Sequence, residues 1–223
     1  MNIRLIAILL ALASLVLILA SFRLDKPVRE AVLVAQDTAW RESAERKFYG
    51  AVRRYGDWPP LMLAAGIGLG IARLSKSRRW SRILVIAMIA SSVAGLTVNS
   101  SRLTTGRTRP ETKAEQGFYG LWKDGKLLVG NPAYNAFPSG HTATAFGFAF
   151  AILFASRWWG LLAMGGAVLV GWASIMLGRH HPSDVTASIC VAAFVAWGVW
   201  LWMNRRGNLV VDRLLRFPPE PAS

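Results

Sequence analysis

The sequence is poor in cysteine, histidine and acidic residues. It has one cysteine, Cys190, and three histidines, and its 12 acidic residues stand against 26 lysines and arginines. A single cysteine excludes an intramolecular disulfide framework, and we interpret Cys190, inside an apolar run, as a packing residue. No ligand cluster typical of a metal site is present, so we expect neither a metal nor another cofactor.

Long polar stretches are also scarce, which argues against an ordinary soluble domain. Hydrophobic residues make up 53% of the chain, and about 20 apolar residues suffice to cross a bilayer as a helix. We predict an all-α, polytopic membrane protein with six transmembrane helices and an interfacial active site. The predicted spans are approximately Leu5–Phe22, Leu61–Leu74, Ile83–Val98, Thr142–Phe154, Leu161–Leu177 and Val185–Met203. A cleaved secretory signal is the alternative for the first run, but its length favours a retained anchor.

The net charge of +14 suits either nucleic acid or anionic lipid. The basic residues are divided among several segments between the apolar runs, and no nucleic-acid motif accompanies them. We therefore expect no nucleic acid, and name the lipid bilayer and a membrane lipid phosphate substrate as partners. Basic residues near helix ends are also explained by membrane topology. No feature of the sequence indicates an oligomeric state.

The chain is expected to form one integral-membrane domain over residues 1–223. Residues 23–60 are predicted to form a connector containing an amphipathic helix on the membrane surface, which Gly56 and the Pro59–Pro60 pair would end. The apolar stripe of this helix runs through Phe48, Val52 and Tyr55. Residues 204–223 form a short polar tail. Six spans would place all three histidines on the same face of the membrane.

Three stretches on that face carry candidate chemistry. In RLTTGRTRP, Arg102 and Arg109 are seven residues apart, so a helix would bring both guanidinium groups to one face around Gly106. Two planar cations suit a phosphate group. The alternative is an interfacial basic cluster.

In FPSGH, Pro138 favours a helix start, which would place Ser139, Gly140 and His141 in the first turn. Backbone N–H groups there favour an anion, and His141 beside a bound phosphate can donate a proton to a departing alkoxide. The alternative is an ordinary capped helix with an interfacial histidine.

In LGRHHPSD, His180 and Asp184 are four residues apart, so the carboxylate can accept from one ring nitrogen and leave the other to attack phosphorus. The alternative for His180 and His181 is interfacial packing.

Together the three stretches resemble the type 2 phosphatidic acid phosphatase family, whose pattern is KxxxxxxRP, then PSGH, then SRxxxxxHxxxD. The resemblance covers about residues 99–190. It implies that His180 is the nucleophile, which forms a phosphohistidine, and that Asp184 holds and activates His180. It also implies that His141 protonates the leaving oxygen and later assists the attack of water. It also implies that the phosphoryl oxygens are held by Arg102, Arg109, Ser139 and the Gly140 backbone.

The sequence departs from this pattern at two positions. Arg102 stands in place of the lysine, and Ser174 stands in place of the arginine of the third motif. Arg179 and Arg107 are the candidates for supplying the missing positive charge. We count Arg179 among the expected substrate-binding residues.

The resemblance implies a phosphatase acting on phosphatidylglycerol phosphate, phosphatidic acid, undecaprenyl pyrophosphate or a lipid A phosphate. The alternatives are a phosphotransferase using the same intermediate and a non-catalytic phosphate-lipid binding or transport protein. Residues 111–137, rich in aromatic side chains, form either a recognition element or a plain interfacial loop. The resemblance implies a bacterial inner-membrane protein with an extracytoplasmic site, whereas a bare count of lysine and arginine favours the reverse orientation.

Overall fold

A computed structural model of the protein describes residues 3–36 and 38–203, so the predicted polar tail lies outside the described residues. The described chain is mainly helical and contains one two-stranded hairpin. The helices are α1 (Ile3–Ala35), α2 (Thr38–Glu42), α3 (Ala44–Tyr55), α4 (Trp58–Leu74), α5 (Arg78–Thr105), α6 (Gly140–Ala155), α7 (Arg157–Met176) and α8 (Pro182–Trp202). Between α5 and α6 lie the strands β1 (Trp122–Lys123) and β2 (Lys126–Leu127) and a 3₁₀ turn (Pro132–Tyr134).

All six segments predicted to span the membrane are helical. Four of them, α1, α5, α7 and α8, are long and apolar enough to cross a bilayer. The other two, α4 and α6, are apolar but shorter, with 17 and 16 residues. A polytopic helical membrane protein with four candidate spans is thus confirmed, whereas six crossings stay a prediction.

The first helix is much longer than the predicted span. It runs 33 residues to Ala35 and passes through Pro27, giving a length of roughly 50 Å against a hydrocarbon core of about 30 Å. Residues 23–35 therefore continue α1 and do not begin a connector. This extension is held by contacts to distant segments, since Asp25 accepts from the backbone N–H of Ser183 at 3.0 Å and Arg29 Nε donates to the Pro110 carbonyl at 2.9 Å.

The predicted amphipathic helix is α3, and Gly56 ends it as expected. The two prolines, however, begin the next helix, because Asp57 caps α4 by accepting from the Trp58 N–H at 2.8 Å and proline is tolerated in a first turn. The apolar stripe is only partly buried: Val52 packs into the core, whereas Phe48 and Tyr55 are exposed. A Cβ on Gly56 would lie 2.1 Å from Val170, so α3 ends directly against α7.

Helix α6 lies at the centre of the bundle, packed against α5, α7 and α8. Small residues make this possible, since a Cβ on Gly147 would lie 2.9 Å from the Ala90 carbonyl of α5. Ser91 also donates across the interface to the Thr144 carbonyl at 2.9 Å. The beginning of α6 is therefore fixed beside the last turns of α5.

The segment between α5 and α6 returns over the ends of the helices. Gly106, with φ +58°, ends α5 in the left-handed region, where a Cβ would collide with the Gly120 carbonyl. The aromatic residues noted in this segment pack partly on one another, with Tyr119 and Tyr134 edge to face at 5.8 Å. Trp122, in the hairpin, is exposed.

Candidate active site

The three motif stretches meet at one end of the bundle. They occupy the end of α5 with the loop after it, the first turn of α6, and the loop between α7 and α8. A fourth segment, the connection between α3 and α4, also lies at this end of the bundle. The prediction that all three histidines lie on one side of the molecule agrees with this geometry.

His180 is enclosed and held by the backbone. It is 1% exposed, and its Nδ1 lies 2.8 Å from the Ala136 carbonyl, to which it donates. Its Nε2 is buried and has no hydrogen-bond partner among the described residues. Burial lowers the pKa of His180 well below its usual value, and the nearby Arg109 and Arg53 lower that pKa further. The ring is therefore neutral at pH 7, with an uncommitted lone pair on Nε2.

Asp184 lies close to His180 but is not its hydrogen-bond partner. The carboxylate Oδ2 is 3.6 Å from Nδ1 and accepts instead from the backbone N–H of His181 at 2.7 Å. The other oxygen accepts from Arg107. The four-residue spacing predicted a hydrogen bond from His180 to Asp184, but His180 Nδ1 donates to the Ala136 carbonyl instead. Asp184 fixes the start of α8 through the His181 N–H and holds Arg107.

Arg107 does not supply the charge missing at position 174. Its guanidinium binds the Asp25 carboxylate at 2.5 Å as well as Asp184, and it is buried. Aromatic rings surround the guanidinium carbon at 4.8 to 5.5 Å, namely Phe22, Phe118 and Phe137. This arginine joins α1 to α8 and is committed to structure.

The first turn of α6 presents donors as predicted. Ser139 is the N-cap residue, but its buried hydroxyl does not cap the helix; it accepts from Thr142 Oγ1 at 2.9 Å, which leaves its own proton for another acceptor. A Cβ on Gly140 would lie 2.8 Å from Asn99 Oδ1 and 3.4 Å from Arg102 Nη1. Glycine here therefore lets Arg102 lie beside backbone N–H groups that have no helical partner.

His141 has a more open environment than His180. Its side chain is 21% exposed, and Nε2 lies 3.2 Å from Asp57 Oδ2. The hydrogen bond with His141 is the largest cause of the lowered pKa of Asp57. Nδ1 lies 3.4 Å from Arg53 Nη2. A carboxylate thus holds one ring nitrogen, and the other faces the cations of the site.

The predicted arginines gather here, although not by the predicted geometry. Helix α5 ends at Thr105, so Arg102 and Arg109 do not share a helical face. Arg109 instead donates from Nε and Nη2 to Asn135 Oδ1 at 3.2 and 2.8 Å. Burial lowers the pKa of Arg109 to about 10, with Arg179 and Arg102 as further causes, which shows how closely the cations lie. Arg179 is half exposed and pairs with Glu111 at 2.5 Å.

The sequence analysis missed two residues of the site, Arg53 and Asp57. Arg53 is partly buried, and its Nε is enclosed without a hydrogen-bond partner among the described residues. Burial lowers its pKa, followed by the charge of Arg179. The available signal was an arginine and an aspartate on either side of Gly56, at the end of an amphipathic helix. Ser174 is buried and donates to the Val170 carbonyl, so position 174 contributes no charge.

Within the described residues, no group of three or more histidine, cysteine, aspartate and glutamate side chains is arranged to hold a metal ion.

Comparison with known proteins agrees with this geometry. The sequence model of the PAP2 superfamily matches residues 80–208. A lipid A 1-phosphatase of Rhizobium johnstonii is 32% identical over 136 residues, covering 57% of this chain and 52% of that protein. The undecaprenyl-diphosphatase BcrC of Bacillus subtilis is 36% identical over 72 residues, covering 31% of this chain and 36% of that protein.

A second lipid A 1-phosphatase, from Porphyromonas gingivalis, is 28% identical over 188 residues, covering 82% of this chain and 36% of that protein. The chain thus spans about half or less of the length of these relatives. The fold is also similar to the crystal structure of a transmembrane PAP2-type phosphatidylglycerolphosphate phosphatase from Bacillus subtilis, with a TM-score of 0.55 and 17% identity over 89% of this chain and 96% of that one.

Proposed function

Because the chain belongs to the PAP2 superfamily, we propose that it is a membrane lipid phosphate phosphatase that works through a phosphohistidine. The observation that carries this proposal is the buried, unpartnered Nε2 of His180, which lies among arginines that suit a phosphoryl group. The proposed substrates are phosphatidylglycerol phosphate, phosphatidic acid, undecaprenyl pyrophosphate and a lipid A phosphate.

The reaction takes place in two displacements. His180 Nε2 attacks phosphorus as the bond to the lipid or pyrophosphate oxygen breaks, and His141 gives that oxygen a proton. Water then attacks the phosphohistidine and transfers a proton to His141, releasing inorganic phosphate and restoring the neutral His180. The developing charge is stabilised by arginines, the Ser139 hydroxyl and the first backbone N–H groups of α6.

Arg53 takes over the part of the arginine absent at position 174. Its Nη2 lies beside His141, its charge acts on His180, and its enclosed Nε has no hydrogen-bond partner among the described residues. A guanidinium near both histidines with an uncommitted donor suits a phosphoryl oxygen. With Arg102 and Arg109, it completes a set of three cations. This set supports turnover over the alternative of a binding protein that lost activity with the arginine of the third motif.

A panel of lipid phosphates tests the proposed function. Purified protein in detergent should release inorganic phosphate from at least one of the four substrate classes, in excess EDTA, and vanadate should inhibit it. Turnover that depends on an added acceptor alcohol and gives no free phosphate would instead indicate a transferase. Binding without either product would indicate a binding protein, and loss of activity on chelation would exclude the proposed mechanism.

We place the site on the extracytoplasmic side of a bacterial inner membrane, with all six apolar helices crossing. The dense basic stretch KSRRWSR, which includes the first residues of α5, supports a cytoplasmic location for the opposite end. Single cysteines replacing Lys126 and Ser75, both exposed, test this orientation in a Cys190→Ser background. On intact spheroplasts an impermeant thiol reagent should label position 126 and not position 75; the reverse pattern would overturn the orientation alone.

A further inference from the structure

A large recess adjoins the candidate active site on the side of α3. Its volume is about 840 Å³, and it lies between the end of α1, helices α2 and α3, and the loop before α8. We call it the basic chamber because six cations line it: Arg41, Arg46, Lys47, Arg53, Arg54 and Arg179. Glu111 is the acidic side chain among its described lining residues.

The described lining residues of the chamber carry far more positive than negative charge. The Glu111 carboxylate is already paired with Arg179 at 2.5 Å. The other five cations therefore exceed the acidic groups among the described lining residues, and cations gathered around a concave space raise the local concentration of anions.

The sequence of α3 turns this basic face toward the chamber. Arg46, Gly50 and Arg53 recur at spacings of four and three residues, so they form one stripe. A Cβ on Gly50 would meet nothing within 4 Å, which shows that the stripe borders open space. Val52 and Gly56 instead pack toward α7.

The reaction itself does not account for these cations. One phosphoryl group is served by Arg53, Arg102, Arg109 and the start of α6, so Arg41, Arg46, Lys47 and Arg54 are surplus to the transfer step. Arg53 both lines the chamber and lies 3.4 Å from His141. Arg53 therefore connects the chamber to the site, so a second charged group of a molecule whose phosphate is held at His180 is within reach of the chamber. The volume is within the range of sites that hold a ligand of several hundred Å³.

We infer that the basic chamber binds a second phosphate group carried by the same substrate molecule. This inference rests on the proposed function and narrows its substrate to lipids with two phosphate groups, such as a bisphosphorylated disaccharide lipid or phosphatidylglycerol phosphate. Phosphatidic acid, with one phosphate, leaves the chamber unused.

The test compares substrates that each offer a phosphomonoester for hydrolysis and differ in whether they carry a second phosphate group. The two pairs are a 1,4′-bisphosphorylated disaccharide lipid with its 1-monophosphate, and phosphatidylglycerol phosphate with phosphatidic acid. The variant is Arg46→Gln/Lys47→Gln, which removes two chamber charges and leaves the proposed catalytic residues intact. The KM for the bisphosphorylated member should rise about tenfold or more, because hydrogen bonds to charged groups are lost, while the KM for the monophosphorylated member stays the same.

A matched control removes two charges elsewhere on the same end of the molecule. Lys113→Gln/Lys126→Gln changes the net charge equally and lies outside the chamber lining. Equal losses in the two double variants, or equal losses on both members of a pair, would show general attraction to the anionic surface and overturn the inference.

Free phosphate is the other source of the same chemistry. If the chamber binds the released product, inorganic phosphate will inhibit the wild type competitively and the Arg46→Gln/Lys47→Gln variant much less. The effect of the variant on KM will then be the same for both members of each substrate pair. That result also overturns the inference. Absence of hydrolysis with every lipid tested would instead count against the proposed function itself.

Discussion

The two histidines of the site have opposite environments within one small space. His180 is enclosed, donates from Nδ1 to a backbone carbonyl, and lies near the cations Arg109 and Arg53. His141 is partly exposed, and its Nε2 is held by the Asp57 carboxylate. Burial and positive charge both oppose protonation of His180.

This difference supports the two proposed roles independently of the family pattern. A nucleophile needs a neutral ring with a free lone pair, which the enclosed His180 provides. A group that exchanges protons with the leaving oxygen and with water needs access to both, which the partly exposed His141 has. Substitution of one side chain at a time tests how much each contributes to the difference between His180 and His141.

Removal of the nucleophile should have the largest effect. His180→Ala should reduce phosphate release on the order of 10⁴-fold or more, since the proposed reaction begins with attack by His180 Nε2. It should also abolish the acid-labile, alkali-stable phosphoprotein that the proposed mechanism predicts after rapid quenching.

The neighbouring histidine is the control. His181 is buried, with Nε2 3.3 Å from the Thr108 carbonyl, away from the phosphoryl site. His181→Ala should therefore retain most of the activity. Near-normal hydrolysis by the His180 variant would show that the nucleophile is another group.

Removal of the general acid should have a smaller effect that depends on the substrate. His141→Ala should lower turnover of a lipid phosphate by about 10²–10⁴-fold, because its alkoxide leaves poorly without a proton. With p-nitrophenyl phosphate, which needs no proton on the leaving group, the first turnover should stay fast. Slow hydrolysis of the phosphohistidine should then give a burst of about one equivalent. An equal loss in both phases and with both substrates would contradict the assignment.

Removal of a cation should act on the pH profile as well as the rate. The neutral form of His180 is active and its pKa is lowered well below 6.5, so the acid limb of kcat/KM should lie below pH 6.5. Since Arg53 is one cause of that lowering, after burial and Arg109, Arg53→Met should move the acid limb to higher pH. The rate should fall about tenfold to a hundredfold with the lost phosphoryl contact.

Arg53→Lys separates charge from geometry. Lysine keeps the positive charge and should leave the acid limb near its original pH, but it loses the planar fork and should recover only part of the rate. An acid limb that does not move in the methionine variant would place Arg53 outside the electrostatic environment of His180.

The local sequence predicted the local structure of the candidate site where that structure depends on neighbours in the chain. Helix α6 begins at Gly140, with Ser139 at the N-cap position and Pro138 directly before it, so the motif contains its own structure. The apolar runs likewise predicted six helical segments. By contrast, the continuation of α1 to Ala35 depends on contacts with Ser183 and Pro110, which no local pattern records.

Residues brought in by tertiary structure escaped the sequence analysis for the same reason. Arg53 reaches His141 across 88 positions of sequence, and Ala136 replaces Asp184 as the acceptor for His180 because the loop folds back over α8. Arg107 appeared available for phosphate, yet two distant carboxylates bind it. Spacing within a motif carries no information on such partners.

The smallest expected effect tests the partner of the general acid, where one side chain has two separable functions. Asp57 Oδ1 caps α4 and Oδ2 faces His141 Nε2. Asp57→Asn keeps a good capping oxygen but places an amide nitrogen toward Nε2, and that group donates where the carboxylate accepted. We expect turnover of a lipid phosphate to fall about tenfold while the first turnover of p-nitrophenyl phosphate and the melting temperature change little. Asp57→Ala should show the same kinetic loss and, in addition, a lower melting temperature from a lost cap of about 1 kcal/mol. If the asparagine variant lost activity equally with both substrates, Asp57 would act through the position of α4. The contrast between the two histidines would then rest on burial and the arginines alone.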